Sequence, residues 1–174
     1  MSNDILENYI RLVQRVDSHT RRVDAAFSGR MACKKGCDAC CRYLSIFPVE
    51  AFAMARAFLN LDQDRRERIN ARIKEAPEVC PLLVDHECVL YHARPLICRT
   101  HGYPVTFESD GALQVDFCPL NFKGVQHFDQ EILISLDQLN QVLFAVNARF
   151  LDQIDTEPLL PDRIPIGDAL FLLA

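Results

Sequence analysis

Two stretches near the ends of the chain carry apolar side chains at three- and four-residue steps, the spacing of one face of an α-helix. The first stretch predicts an amphipathic helix over residues 2–27, with Ser2 or Asn3 as its N-cap. The second predicts a helix over residues 136–153, with Ser135 at the start of a capping box. Each helix therefore has one face available for burial.

The first half of the chain predicts two further helices. Pro48 suits the first helical position, because its φ is already helical and it has no N–H to leave unpaired, so we expect a helix over 49–59. The segment 62–76 predicts a highly charged, largely exposed helix that stops before Pro77.

The helical period disappears between residues 80 and 118. Residues 82–91 predict a small hairpin with a polar turn at 85–87, and residues 94–99 predict one helical turn. A second hairpin is predicted over 103–117, because Asp-Gly suits the tight turn between its strands. The expected fold class is mainly α with a small β component, in which a cysteine-rich irregular metal-binding core packs against N- and C-terminal helices.

No repeat, linker or low-complexity segment divides the 174 residues, so we expect a single domain over 1–174. Its cysteine-rich core spans about 29–119, and helical flanks cover 2–28 and 135–153. The tail, 154–174, ends in an apolar run, and we expect it to dock on the body.

Composition narrows the class of protein. Half of the residues are apolar and a quarter are charged, which is ordinary for a globular protein. The formal net charge of -5 argues against a general nucleic-acid binder, because phosphate contacts need a basic surface. The sequence shows no signal peptide and no apolar run near the ~18 residues of a membrane span. We therefore expect a cytoplasmic protein with no membrane partner, in which thiols stay reduced.

Eight cysteines dominate the candidate chemistry, and four of them fall within nine residues. They are Cys33, Cys37, Cys40, Cys41, Cys80, Cys88, Cys98 and Cys118. Thiolates are soft ligands that suit zinc, copper(I) and iron–sulfur clusters, and short Cys-x2-Cys or Cys-x3-Cys steps let two of them face one ion. In a reducing compartment this pattern predicts metal binding ahead of disulfides or buried free thiols.

Adjacent Cys40 and Cys41 leave the number of sites open. Neighbouring side chains usually diverge, so one thiol serves a second ion or the two bridge a polynuclear site. Eight thiols can fill two four-cysteine sites, or one cluster site with spare thiols. Cys33-x3-Cys37-x2-Cys40 also matches the radical-SAM signature, but the chain lacks the alternating strand–helix pattern of that superfamily.

A longer motif resembles a known family. The spacing Cys33-x3-Cys37-x2-Cys40-Cys41 is followed by Cys80-Pro81-Leu82-Leu83-x4-Cys88-x2-Tyr91-x2-Arg94-Pro95-x2-Cys98-Arg99 and by Cys118. This pattern is similar to the bacterial and archaeal CxxCxxCC (YkgJ-like) cysteine-cluster family, usually described as a zinc- or iron-chelating domain. The resemblance covers about 29–119, and it implies that all eight cysteines chelate zinc or iron, with an iron–sulfur cluster as one form of the iron.

Several side chains near the cysteines are candidates for supporting roles. Four thiolates on one Zn²⁺ leave an excess charge of about -2, which needs nearby cations or hydrogen-bond donors. We expect Arg94 and Arg99, which flank Cys98 in the family signature, to supply them, with Lys34 and Lys35 as further candidates. We expect His86 and His101 to lie in loops or to support the ligands rather than to bind the metal, because eight thiols already suffice as ligands.

The leading functional hypothesis is a metal-binding protein that uses its eight cysteines to hold zinc or iron. A closed structural site would leave function to a surface that binds a partner protein. One alternative is an iron or iron–sulfur enzyme that modifies a protein or peptide, and another is a metal storage or delivery protein. Whether the chain is an enzyme stays open, and no catalytic residue is assigned.

Overall fold

The computed structural model describes residues 4–33, 36–75, 79–154 and 160–173. Within these ranges the chain is mainly α with a small β component, as predicted. The helices are α1 (Glu7–Ala26), α2 (Pro48–Leu59), α3 (Gln63–Glu75), α4 (Leu96–Thr100), α5 (Leu136–Leu151) and α6 (Ile166–Ala169). The strands are β1 (Ser45–Ile46), β2 (Leu83–Val84), β3 (Glu87–Cys88), β4 (Val105–Ser109), β5 (Ala112–Asp116), β6 (Ile134–Ser135) and β7 (Ile164–Pro165). A short 3₁₀ turn, Tyr91–Ala93, precedes α4.

The predicted helices are confirmed, with ends that differ by a few residues. Helix α2 begins at Pro48, as its restricted φ suggests. Helix α5 begins after Ser135, whose Oγ accepts a hydrogen bond from the Gln138 N–H at 3.3 Å.

The start of α1 is later than predicted. The helix begins at Glu7, while the predicted caps Ser2 and Asn3 lie outside the described residues. Asp4 accepts the hydrogen bonds at this end of the helix instead. Its carboxylate accepts from the Leu6 N–H at 3.1 Å, and its carbonyl accepts from the Glu7 N–H at 2.8 Å.

Both predicted hairpins are confirmed. Strands β2 and β3 pair antiparallel, and β4 pairs with β5 through a turn in which Asp110 and Gly111 both have positive φ. Two further pairings were not predicted. Strand β6 runs parallel to β4, and β1 pairs with β7, which joins the segment after Cys41 to the tail.

Within the described residues, buried apolar side chains form three clusters. One lies between α1, α2 and α5 and includes Leu12, Val49 and Phe150. A second contains α2, α3 and the tail residues of α6, and Cys80 belongs to it. The third is aromatic and is formed by Phe27, Phe117, Phe122 and Phe128, with ring centroids 5.2–5.8 Å apart.

Helix α4, which carries Cys98, is fixed to α2 by a buried carboxylate. Glu50 is only 2% exposed, and its two oxygens accept from the Phe47 N–H at 3.1 Å and the Leu96 N–H at 2.9 Å. Burial raises the pKa of Glu50, while these two backbone N–H groups act in the opposite direction. The carboxylate therefore joins the start of α2 to the start of α4.

None of the helices in the described part of the chain is long and apolar enough to cross a membrane.

Glu50→Ala should lower the free energy of unfolding by about 1–3 kcal/mol, since it leaves the Phe47 and Leu96 N–H groups without their acceptor. Glu50→Gln should cost less, because its amide oxygen still accepts one hydrogen bond. Chemical denaturation measures both changes, and exposed Glu131→Ala is the control. An Ala variant as stable as the parent would contradict this role for Glu50.

Candidate metal centre

The first four cysteines lie on an irregular loop between α1 and β1. Gly36 has a φ of +88°, which gives the sharp turn expected between Cys33 and Cys37. A second turn follows, in which the Cys41 N–H donates to the Asp38 carbonyl at 2.8 Å.

The other four cysteines come from separate elements. Cys80 precedes the first hairpin, Cys88 ends β3, Cys98 lies within α4, and Cys118 follows β5. Long-range packing of these elements brings their side chains to the loop.

Four sulfurs form a first set, which we call group A: Cys33, Cys37, Cys40 and Cys118. Burial raises the pKa of Cys33, and the neighbouring thiols of Cys37, Cys118 and Cys40 raise it further. Burial also raises the pKa of Cys40, with added contributions from Cys37 and Cys118. Cys33 and Cys40 are exposed, and the other two are half-buried.

The remaining sulfurs form group B: Cys41, Cys80, Cys88 and Cys98. Burial raises the pKa of Cys98 to about 12, and the nearby thiols of Cys80, Cys88 and Cys41 contribute. Burial raises the pKa of Cys41 to about 11, with Cys40 and Cys80 adding to the rise. Cys80 is 8% exposed and belongs to an apolar cluster against which Cys41 and Cys88 pack.

Adjacent Cys40 and Cys41 fall in different groups by this division, although Cys40 is also the thiol that adds most to the raised pKa of Cys41. Their side chains also hydrogen-bond to each other, with the Cys41 thiol as donor. Both alternatives that the sequence left open, a second site and a polynuclear site bridged by this pair, stay predictions.

The donor chemistry fits a soft metal, since each group offers four thiols and all eight cysteines are free of disulfides. In the described part of the chain, no three Cys, His, Asp or Glu side chains already stand in an arrangement that holds an ion. A zinc–thiolate bond is about 2.3 Å long. If either group bound a metal, its thiols would have to close around the ion, which would couple binding to local ordering.

Asn121 supports group A, although the sequence did not identify it. It is 1% exposed, and its Nδ2 donates to the Cys33 Sγ at 3.2 Å and to the Gly102 carbonyl at 2.8 Å. Its Oδ1 accepts from the Ala32 N–H at 2.8 Å and the Cys33 N–H at 3.3 Å. The amide therefore fixes both the backbone and the sulfur of Cys33. Its position three residues after Cys118 is the only signal that the sequence offers.

Gly102 is required where it approaches this site. It has a φ of +89°, and a Cβ built there would lie 3.1 Å from Asn121 Nδ2 and 3.3 Å from Cys33 Sγ. Any side chain would both strain the backbone and press on group A.

Of the two arginines predicted to support the thiolates, Arg94 lies beside group B. Its positive charge lowers the pKa of Cys88 and of Cys98, against the larger effect of burial. Its guanidinium carbon stands 3.9 Å from the centroid of the Tyr91 ring. The positive charge of Arg72 lowers the pKa of Cys80 in the same way, and this arginine was not predicted.

Arg99 makes its hydrogen bonds elsewhere. It is 6% exposed, and its Nη1 donates to the two carboxylate oxygens of Asp17 at 2.7 and 2.8 Å. Its Nε and Nη2 donate to the carbonyls of Arg94 and His92. Arg99 thus joins α4 to α1, and its role beside the thiolates stays a prediction.

His86 lies near the first cysteine loop, with its Nδ1 2.7 Å from Asp38 Oδ2. This hydrogen bond joins the hairpin turn before Cys88 to that loop, and it lowers the pKa of Asp38. Lys34 and Lys35 lie outside the described residues.

A cavity of about 620 Å³ lies beside the thiols. Six cysteines line it, namely all of group B with Cys37 and Cys40. Its other walls include Leu44, Leu82, Ile97 and Ile166, with Arg94 and His101 among the polar residues. Cavities that hold small organic ligands span roughly 300–1,000 Å³.

The family described as “Putative zinc- or iron-chelating domain” (CxxCxxCC) matches this chain over residues 32–119, a range that contains all eight cysteines. No curated protein and no solved structure matches the chain.

Asn121→Ala should weaken metal binding at group A by roughly 10–100-fold, because the Cys33 sulfur loses its hydrogen-bond donor. Competitive titration with a chromophoric chelator measures the affinity, and exposed Asn140→Ala on α5 is the matched control. Equal affinities in Asn121→Ala and the parent would show that the amide does not support the site.

Proposed function

Because the chain belongs to the CxxCxxCC family, we propose that it binds zinc or iron through two four-cysteine sites, one formed by group A and one by group B. The observation that carries this proposal is the presence of eight free thiols, whose sulfurs interact mainly within two sets of four, apart from the contact between Cys40 and Cys41. Four thiolates are the ligand set of closed structural zinc sites and of iron–sulfur clusters.

The surrounding residues provide what such sites need. Arg72 and Arg94 bring positive charge to group B, and Asn121 brings a hydrogen-bond donor to group A. A bound metal would supply the charge that keeps the thiols ionised inside the fold. Since the sulfurs must close around it, its binding energy would also stabilise the cysteine region.

The free thiols also support the expected cytoplasmic location, where cysteines stay reduced. We keep the cytoplasmic location and the expected protein partner as part of the proposal.

A second candidate is an iron or iron–sulfur enzyme that modifies a protein or peptide. The cavity favours it, because about 620 Å³ is far more space than four thiolates leave around a single ion. A volume of this size beside the thiols suits a polynuclear cluster together with a substrate group. Zinc in a closed site would instead indicate a structural role.

Metal content distinguishes these two functions. Elemental analysis and a visible spectrum are recorded on untagged protein purified without oxygen. They should show enough zinc or iron to occupy both groups of cysteines. A colourless zinc protein would support the structural site. A brown protein with iron and acid-labile sulfide would support the enzyme.

Replacing one cysteine of either group should remove the metal of that group and lower the melting temperature. Cys118→Ser tests group A, and Cys98→Ser tests group B. Leu113→Ser is the control, because it introduces the same serine side chain at an exposed position of β5. Unchanged metal content and melting temperature in both cysteine variants would refute the proposed function.

A further inference from the structure

The outer side of strand β5 is open. Within the described residues β5 pairs with β4 alone, so it is an edge strand of the three-stranded sheet. The turn between the two strands has two residues, Asp110 and Gly111, both at positive φ, and the pair of residues that flanks such a turn is hydrogen-bonded. Because hydrogen-bonded pairs alternate with non-hydrogen-bonded pairs along an antiparallel ladder, Leu113 and Val115 turn their backbone N–H and C=O groups away from β4. These groups therefore face the open side of the sheet.

The side chains at the same two positions are apolar and exposed. Leu113 is 70% exposed and Val115 is 47% exposed, and residues two apart on a strand project from the same face. Edge strands are usually protected from other chains by a lysine, a proline or a bulge. Strand β5 has no lysine or proline, and its register with β4 is unbroken. It is therefore a ready template for a further strand.

Negative charge surrounds this edge. Glu108 lies directly opposite Leu113, Asp110 lies in the turn, and Asp116 ends β5. Asp137 adds a fourth carboxylate, which accepts from the Glu108 N–H at 3.2 Å. No lysine or arginine in the described part of the chain forms an ion pair with any of these four. Residues 100–148 carry six carboxylates and one lysine, a net charge of -5 that equals the formal net charge of the whole chain.

We propose that the open edge of β5 binds an extended, basic segment of another protein, which joins the sheet as an additional strand. Apolar side chains of this segment lie against Leu113 and Val115, and its lysines or arginines lie beside the carboxylates. A second copy of this chain suits the edge less well, because it would bring two sets of the same carboxylates together. The proposal goes beyond metal binding, and none of the residues of β5 lines the cavity beside the thiols.

Fluorescence anisotropy of a labelled peptide of alternating lysine and valine residues measures this binding to the full chain. We expect saturable binding that weakens by about tenfold when sodium chloride is raised from about 50 to about 500 mM, because salt screens charges at an exposed surface. A peptide of alternating glutamate and valine residues should not bind, because its charge has the same sign as that of the edge.

Methylated peptides test whether the contact is strand pairing or attraction between charges alone. Every second N–H of an added strand faces β5, so the N–H groups of either the valines or the lysines are the ones that donate. Methylating the amides of one set should abolish binding, and methylating those of the other set should spare it. This comparison uses unmodified protein, and it does not depend on the folding of a variant.

Leu113→Lys should weaken binding of the lysine–valine peptide by about tenfold, because it removes an apolar contact and places a like charge opposite the peptide. Leu59→Lys is the matched control, since it introduces the same side chain at an exposed apolar position of α2. Both positions are exposed, so we expect both variants to keep the melting temperature of the parent.

Three results would overturn the proposal: no saturable binding, equal binding of the parent peptide and both methylated peptides, or equal affinity in Leu113→Lys and the parent protein. Sedimentation that shows a dimer of this chain, lost in Leu113→Lys, would assign the edge to a second copy and would also overturn it. Metal content, measured on the same preparation, tests the proposed function separately, because the binding of the peptide does not involve the thiols.

Discussion

The burial of thiols beside apolar side chains is the constraint on which the rest of this structure depends. Burial raises the pKa of six of the eight cysteines above its usual value, most strongly for Cys98 and Cys41. A thiolate placed there needs positive charge, which a bound metal supplies directly and which Arg72 and Arg94 supply in part. The proposed metal binding rests on the eight free thiols and on the family to which the chain belongs.

The flanking elements hold the cysteine-bearing segments in place. Helix α4 is fixed on two sides, through Glu50 to α2 and through Arg99 to Asp17 of α1. The tail strand β7 pairs with β1, which begins four residues after Cys41, and Asn121 ties the loop at Cys33 to Gly102. Short irregular segments that could not order themselves alone are thus positioned by contacts from distant parts of the chain.

The helices, both hairpins and the identity of the thiols could be predicted from the sequence, because periodicity, turn residues and the cysteine motif are local signals. The division of the cysteines into groups could not. Cys40 and Cys41 are neighbours in sequence, and only the packing of 80–118 assigns them to different groups. Asn121 was missed because it lies outside the matched motif, and Arg99 finds its partner 82 residues away.

X-ray absorption at the metal edge of the purified full chain identifies the atoms bound to the metal. We expect sulfur as the dominant neighbour, with four sulfurs per mononuclear zinc at about 2.3 Å, or the sulfur and iron neighbours of a cluster. A coordination sphere made mainly of nitrogen and oxygen would contradict it, because the eight cysteines would then not be the ligands.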